Sequence, residues 1–366
     1  MGELLKNMFN QESLSELTRE IQKVYQSFDE KAFLASTMDS SWETLELKER
    51  VRQISTNLGK YLPSDYREAI VILDQVVEKF HSNFFGICFP DFVEVYGQGE
   101  NDLQVSIDAL ARYTVYSSSE FAVRAFIIKE EEKMMAQMYD WSKDENEHIR
   151  RLSSEGCRPQ LPWGQALTKY KKDPSPILPI LSQLKADPSL YVRKSVANNI
   201  NDISKTHPHL VIELAKEWYG ENEYTNWIVK HGCRTLLKKG NPEVLAIFGY
   251  NNISSIKVEN LSLDRERLLF GETIEFSYTI TAEKATKVRM EYGMDFMKAN
   301  GKNNRKIFQI SEITLGENET KEYRKKHSFK EISTRKYYPG NHAITLIVNG
   351  VECGTQNFEL EEKKEE

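Results

Sequence analysis

The chain has 366 residues, 40% of them hydrophobic and 28% charged, with 17 Tyr, 17 Phe and 5 Trp. That is about twice the usual domain length and enough apolar material for packed cores, which excludes an intrinsically disordered chain. The net charge of −6 speaks against a nucleic-acid partner only until it is mapped along the chain. Four scattered cysteines without a CxxC pair exclude a zinc ribbon or a disulfide framework. No apolar run reaches the ~20 residues needed to cross a bilayer. The opening MGELLKNMFNQES lacks the basic-then-apolar form of a secretory signal, so a cytoplasmic protein is expected.

Helical periodicity governs the first 250 residues. Leu14, Leu17, Ile21, Val24 and Phe28 recur at spacings of three and four, as one stripe of an amphipathic helix requires. Leu45, Leu47, Val51, Ile54 and Leu58 do the same before Gly59 and Pro63, the expected stop. A degenerate repeat follows. DENEHIRRLSSEGCRP (144–159) aligns with DPSLYVRKSVANNIND (187–202) at a step of 43, and NEYTNWIVKHGCRTLLKKGNP (222–242) is a weaker third copy. That period suits HEAT-like helical pairs stacked into a solenoid.

After residue 250 the period becomes two. In ETIEFSYTIT, Ile274, Phe276, Tyr278 and Ile280 alternate with polar residues, the signature of a half-buried strand. SSIKVENLSL, TKVRMEYGMDF, KIFQISEITL and HAITLIVNG read likewise, and Asn349-Gly350 fits a type I′ hairpin turn. About seven strands at ~8–12-residue spacing predict an immunoglobulin-like β-sandwich. The expected organisation is multidomain, an all-α HEAT-like solenoid at 1–250 and a sandwich at 255–361, with ELEEKKEE as a frayed tail.

Charge follows these divisions. Residues 1–139 carry 14 basic and 23 acidic side chains, residues 140–250 carry 16 and 13, and residues 251–366 carry 19 of each. Residues 298–336 alone hold 11 basic and 5 acidic. Arg150 and Arg151 correspond to Arg193 and Lys194 one repeat later, and Lys230 is assigned the same register in the third copy. A ladder of such side chains on one solenoid face matches a phosphate backbone; any one of them alone reads better as part of a solvated helix face.

No P-loop, GxGxxG, HExxH or GxSxG occurs, and the seven histidines show no metal-ligand spacing. Chemistry would rest on carboxylates and aromatics. Asp202 ends a run with Asn198, Asn199 and Asn201, residues that helix interiors disfavour; its simplest role is a cap for the next segment. Glu155 follows Arg151 at i,i+4, the spacing of an ordinary helix ion pair. Glu120 follows three serines, as a first-turn helix acid would. Trp163 lies between Pro162 and Gly164, where it is presented from a loop or seals a repeat edge.

The run from Glu120 to Asn241, above all RRLSSEGCRPQLPWG, VRKSVANNINDISKTHP and NWIVKHGCRTLLKKGNPE, resembles the HEAT-like alkylpurine DNA glycosylases of the AlkC/AlkD superfamily. It is closest to the AlkC branch, some members of which carry an immunoglobulin-like domain. The resemblance implies a monofunctional, cofactor-free glycosylase acting as a monomer on double-stranded DNA. Its targets would be cationic N-alkylated bases such as 3-methyladenine and 3-methylcytosine, excised without full base flipping. It implies Glu120, Glu155 and Asp202 as the carboxylates at the lesion and Trp163 beside the deoxyribose. Arg150, Arg151, Arg158, Arg193, Lys194, Asn198, Asn199, Lys230 and Arg234 are the expected DNA contacts. Two other readings stand beside it: a non-catalytic HEAT scaffold for nucleic acid or protein, and a sandwich with its own carbohydrate or protein ligand.

Overall fold

The computed structural model describes residues 5–81, 84–250, 253–332 and 335–362. Its contacts divide the chain into two compact units: Met1–His207 with Gly220–Gly232, and Pro208–Tyr219 with Cys233–Glu366. This differs from a cut at 250, part of which falls at residues outside those described.

The first unit is built from helices packed on one another. Helix Gln11–Val24 starts on a capping box between Asn10 and Ser13, and buries Leu14, Leu17 and Ile21. Val24 ends it exposed rather than in the stripe, because the chain turns at Tyr25 and Phe28 takes the buried place. Helix Leu47–Tyr61 runs through Gly59 instead of stopping there. A Cβ at Gly59 would lie 2.1 Å from the Tyr96 ring, so this glycine serves close packing and not termination.

The three repeat segments form helices Glu147–Gly156, Leu190–Ile203 and Glu223–Gly232, which pack side by side. Asn146 caps the first through the His148 N–H, Ser189 caps the second through Tyr191 and Val192, and Asn222 caps the third through Thr225. Small residues let the helices approach. Ser154 and Ser195 share a 2.7 Å hydroxyl contact, and a Cβ at Gly232 would sit 2.7 Å from Ile200.

The second unit contains the sandwich together with helices Pro208–Trp218, Arg234–Lys238 and Pro242–Ile247. Among the described residues eight strands form two sheets: β1 (Ile256–Leu263), β2 (Arg267–Leu269), β3 (Thr273–Ala282), β4 (Thr286–Met297), β5 (Asn303–Leu315), β6 (Glu319–Ser328), β7 (Gly340–Val348) and β8 (Val351–Glu361). Their orders are β1-β3-β6 and β2-β8-β7-β4-β5. The alternation read in β3 is observed, with Ile274, Phe276, Tyr278 and Ile280 all buried in the inter-sheet core. Asn349 and Gly350 turn β7 into β8 at φ of 45° and 79°, the two positive values a type I′ turn needs. Gly240 comes so close to Gly350 that a Cβ would meet its carbonyl oxygen at 3.0 Å, which seats the short helices on this hairpin. Glu359–Glu361 belong to β8, with Leu360 fully buried, so the tail begins later than its charge run suggests.

A carboxylate network in the helical unit

The three carboxylates singled out in the sequence meet in one chain of ion pairs. Glu120 lies in the turn before helix Val123–Lys129, and its Oε2 is 2.6 Å from Arg151 Nη2. Arg151 also reaches Glu155 at 3.7 Å. Glu155 Oε1 accepts from Arg158 Nη1 at 2.6 Å, and Arg158 Nε donates to Asp202 Oδ2 at 2.8 Å. Lys205 Nζ closes the chain on Asp202 Oδ1 at 2.8 Å. Three acids thus alternate with three bases.

Asp202 is inside its helix, not a cap, and its side chain is only 2% exposed. Lys205, at 39%, is its exposed partner. Glu155 pairs more closely with Arg158 at i+3 than with Arg151 at i−4. Burial works against the Arg158 charge, but Glu155 and Asp202 outweigh it and hold the guanidinium above its usual pKa. Arg151 is raised for the same reason by Glu120 and Glu155, again against burial, and its guanidinium lies 4.8 Å from the Tyr191 ring.

Ser118 sets the position of Glu120. Its hydroxyl donates to Glu120 Oε2 at 3.0 Å and accepts from Arg151 Nη1 at 3.2 Å. The loop after the first repeat helix is held by Arg124, which donates to the carbonyls of Gly156, Arg158 and Gln165. Burial lowers its pKa to about 10. The loop presents Trp163 at φ 62°, a left-handed conformation costly for a residue with a Cβ, and leaves it 54% exposed. Lys48 fixes that turn by donating to the Trp163 carbonyl at 3.0 Å.

The basic ladder is sorted by burial. Arg150 pairs with Asp187 at 2.7 Å and donates to the carbonyls of Asp144 and Glu145. Arg193, one repeat on, donates to the carbonyls of Asp187 and Pro188 and stacks on Tyr224 at 4.2 Å. Both therefore staple loops rather than face a groove. Arg158 is occupied in the network, and Asn199 is fully buried, donating to the Ser154 carbonyl at 2.8 Å; neither is an open contact surface. Counted from its cap, Arg151 and Lys194 are fifth in their helices, but the fifth residue of the third is Trp227, and Lys230 is eighth. The expected equivalence of Lys230 fails because the cap Asn222 sets the register of the third helix and puts Trp227 in that place. Lys194 is exposed, Asn198 and Lys230 are half-buried, and Arg234 is half-buried in the second unit.

Sequence reading missed Arg124, Ser118, Lys48 and Lys205. Only Arg124 carried a signal, a lone cation in the apolar run AVRAFII. Among the described residues no group of His, Cys, Asp or Glu has metal-site geometry, and no helix is long and apolar enough to cross a membrane. Burial pushes the Cys157 and Cys233 thiols up to about 12 and Cys88 higher still, so none is poised as a nucleophile.

Two families match parts of this architecture: "DNA alkylation repair enzyme" over residues 107–236, and the C-terminal Ig-like domain of YhaZ over residues 257–362. The Bacillus subtilis (strain 168) protein YhaZ is 47% identical over 97% of this chain and 99% of its own length. The decisive match is the Pseudomonas fluorescens alkylpurine DNA glycosylase AlkC, solved bound to DNA containing an abasic-site analogue. It superposes with a TM-score of 0.94 and 36% identity, covering 98% of this chain and 99% of AlkC. The chain belongs to the AlkC family of DNA repair glycosylases. The AlkC match spans both the repeat helices and the sandwich, so the helical solenoid followed by an immunoglobulin-like sandwich is the family's architecture as well.

Proposed function

We propose that this protein is a monofunctional DNA glycosylase that hydrolyses the N-glycosidic bond of cationic N-alkylated bases, such as 3-methyladenine and 3-methylcytosine, in double-stranded DNA. The observation that carries this reading is the Glu120–Arg151–Glu155–Arg158–Asp202–Lys205 network. A solenoid that only binds has no use for three carboxylates held in a basic block.

A base alkylated at a ring nitrogen already carries the positive charge that makes it a good leaving group. When the C1′–N bond breaks, its electron pair neutralises the base and leaves an oxocarbenium-like charge on the sugar. A carboxylate near that charge stabilises the transition state more than the ground state. At an effective dielectric of about 20, one unit charge ~4 Å away contributes about 4 kcal/mol. Water then adds at C1′ and gives up its proton to the carboxylate that positions it, which passes it on to solvent. Asp202 is assigned to water positioning and charge stabilisation, with Glu155 and Glu120 in support. Lys205, the exposed partner, turns to a backbone phosphate and opens Asp202 Oδ1. Arg151 and Arg158 keep the acids oriented. No lysine is assigned as a Schiff-base former, so strand cleavage is not expected.

Trp163, presented by its left-handed turn, packs beside the deoxyribose while the base stays in or near the stack. Lys194, Asn198, Lys230 and Arg234 are assigned to the DNA backbone. Six of the eleven basic side chains of 298–336 fall on β5 and β6, which are edge strands of the two sheets, and these are assigned to the duplex as well. Charged edges also block strand-to-strand aggregation, so the two roles are separated by the salt dependence of DNA affinity. The protein acts as a cytoplasmic monomer. Release of 3-methyladenine or 3-methylcytosine from methylated duplex, followed by chromatography, tests the activity; no release sinks the proposal.

A further inference from the structure

The turn that carries Trp163 is built against the preference of its own sequence. The Gly164 N–H donates to the Leu161 carbonyl at 3.1 Å, closing a turn over Leu161-Pro162-Trp163-Gly164. Proline fixes φ at about −65° in the second place, and φ is 62° in the third, the pattern of a type II turn. That third place normally takes glycine or asparagine, because a Cβ crowds the left-handed conformation. Here it holds a tryptophan that is 54% exposed. A residue in such a conformation persists only where its surroundings hold it, and such positions gather at functional sites.

Arg124 ties down the base of this loop through the carbonyls of Gly156, Arg158 and Gln165, all outside the turn itself. At the tip, Lys48 Nζ donates to the Trp163 carbonyl at 3.0 Å, from 115 positions upstream. Among the described residues no other hydrogen bond reaches any atom of Trp163. The same ammonium lies 4.9 Å over the ring of Phe121, the neighbour of Glu120. One cation thus touches both turns that deliver site residues. Lys48 also occupies an unfavourable place in its own element. It is the second residue of helix Leu47–Tyr61, at the positive end of the helix dipole, where an acid such as Glu49 belongs. A position that breaks a local rule without local gain is expected where function is served.

We propose that Lys48 is a positioning residue for the reaction: it locks the Trp163 turn, and with it the indole, in place relative to the carboxylates. It acts on the sugar only through that ring. This inference rests on the glycosylase reading and on the place of Trp163 beside the deoxyribose. A ring free to swing off the sugar leaves the backbone contacts to the duplex unchanged. It slows the chemistry, because small misplacements at a reacting centre are costly in rate.

The test compares full-length wild type, Lys48→Met, Trp163→Ala and the double variant in single-turnover release of 3-methyladenine from methylated duplex. Duplex affinity is measured alongside at several salt concentrations. Lys48 is exposed, so the methionine variant keeps the fold. Lys48→Met should release the base about tenfold more slowly, the equivalent of one hydrogen bond of about 1.4 kcal/mol, with affinity and salt slope unchanged. In the Trp163→Ala background the same substitution should cost less than about twofold, since its route to the sugar is then gone. Release by Lys48→Met at the wild-type rate overturns the inference and leaves the glycosylase reading standing. So does a full tenfold loss in the Trp163→Ala background, or a salt slope lower by about one, which makes Lys48 a phosphate contact instead. Release by Trp163→Ala at the wild-type rate overturns it as well, by removing the residue through which Lys48 acts. No release by the wild type refutes the glycosylase reading, and the inference falls with it.

Discussion

Replacing Arg158 with Met probes the network at its centre. The side chain is 8% exposed and spans from Glu155 at 2.6 Å to Asp202 at 2.8 Å. Methionine has similar length and flexibility, so the change removes a charge without opening a large cavity. Two charge-assisted hydrogen bonds are lost, each worth about 1.5–3 kcal/mol, and removing one partner of a buried pair costs about 3–5 kcal/mol. Arg151 still reaches Glu155, and Lys205 still holds Asp202, so the lower bound of about 3 kcal/mol is expected. For a unit of roughly 200 residues this lowers Tm by about 6–12 °C. Thermal unfolding followed by circular dichroism measures it. Adding Glu155→Gln should restore part of the loss, since it removes one of the two stranded charges. Because Arg158 is buried, the salt dependence of DNA affinity should not change. A Tm within 2 °C of wild type, or a salt slope lower by about one phosphate contact, would refute the account of Arg158 as an internal clamp.

Trp163→Gly should relieve the positive-φ strain and raise stability by about 1 kcal/mol, while lowering kcat; a variant less stable than wild type contradicts the strain. Ending the chain at residue 254 should give an aggregating protein, because helices Pro208–Trp218, Arg234–Lys238 and Pro242–Ile247 lose the sandwich they pack with; a monomeric, melting product contradicts that grouping. Full-length Lys325→Glu/Lys326→Glu is the better probe of the β6 edge, with a weaker DNA affinity and a shallower salt slope expected. Burial, then Arg335 and His342, depress His327 to about 4. The folded value lies below that of the unfolded chain, so its contribution, about 3 kcal/mol at most, is complete above pH ~6.5 and is lost as pH falls toward 4. His327→Gln should flatten the pH dependence of unfolding across that window.

The change of period near residue 250 and the β3 alternation were readable because burial leaves a direct imprint on residue spacing. The carboxylates were readable as residues, but not their partners. Arg158 meets Asp202 across 44 positions, a distance only the stacking of repeat helices closes. Asn199 looked like a polar groove residue, yet it is at the tenth position after its cap, where the first and third helices have Gly156 and Gly232. It therefore packs inward against Ser154. Charge alone puts Lys230 in the ladder, whereas the caps Asn146, Ser189 and Asn222 set the register. The docking of three short helices with the sandwich depends on the closeness of Gly240 and Gly350, and nothing in the local sequence encodes that partner.

The central claim is that a carboxylate held between Arg158 and Lys205 drives the loss of an alkylated base. Single-turnover release of 3-methyladenine from methylated duplex, compared between wild type and Asp202→Asn at matched DNA saturation, tests it most directly. The account predicts release by the wild type and a rate about 10²–10³-fold lower in the variant, the kinetic equivalent of 3–4 kcal/mol, with duplex affinity within about twofold. Release by Asp202→Asn at the wild-type rate would contradict the assignment of Asp202, and no release by either protein would contradict the activity.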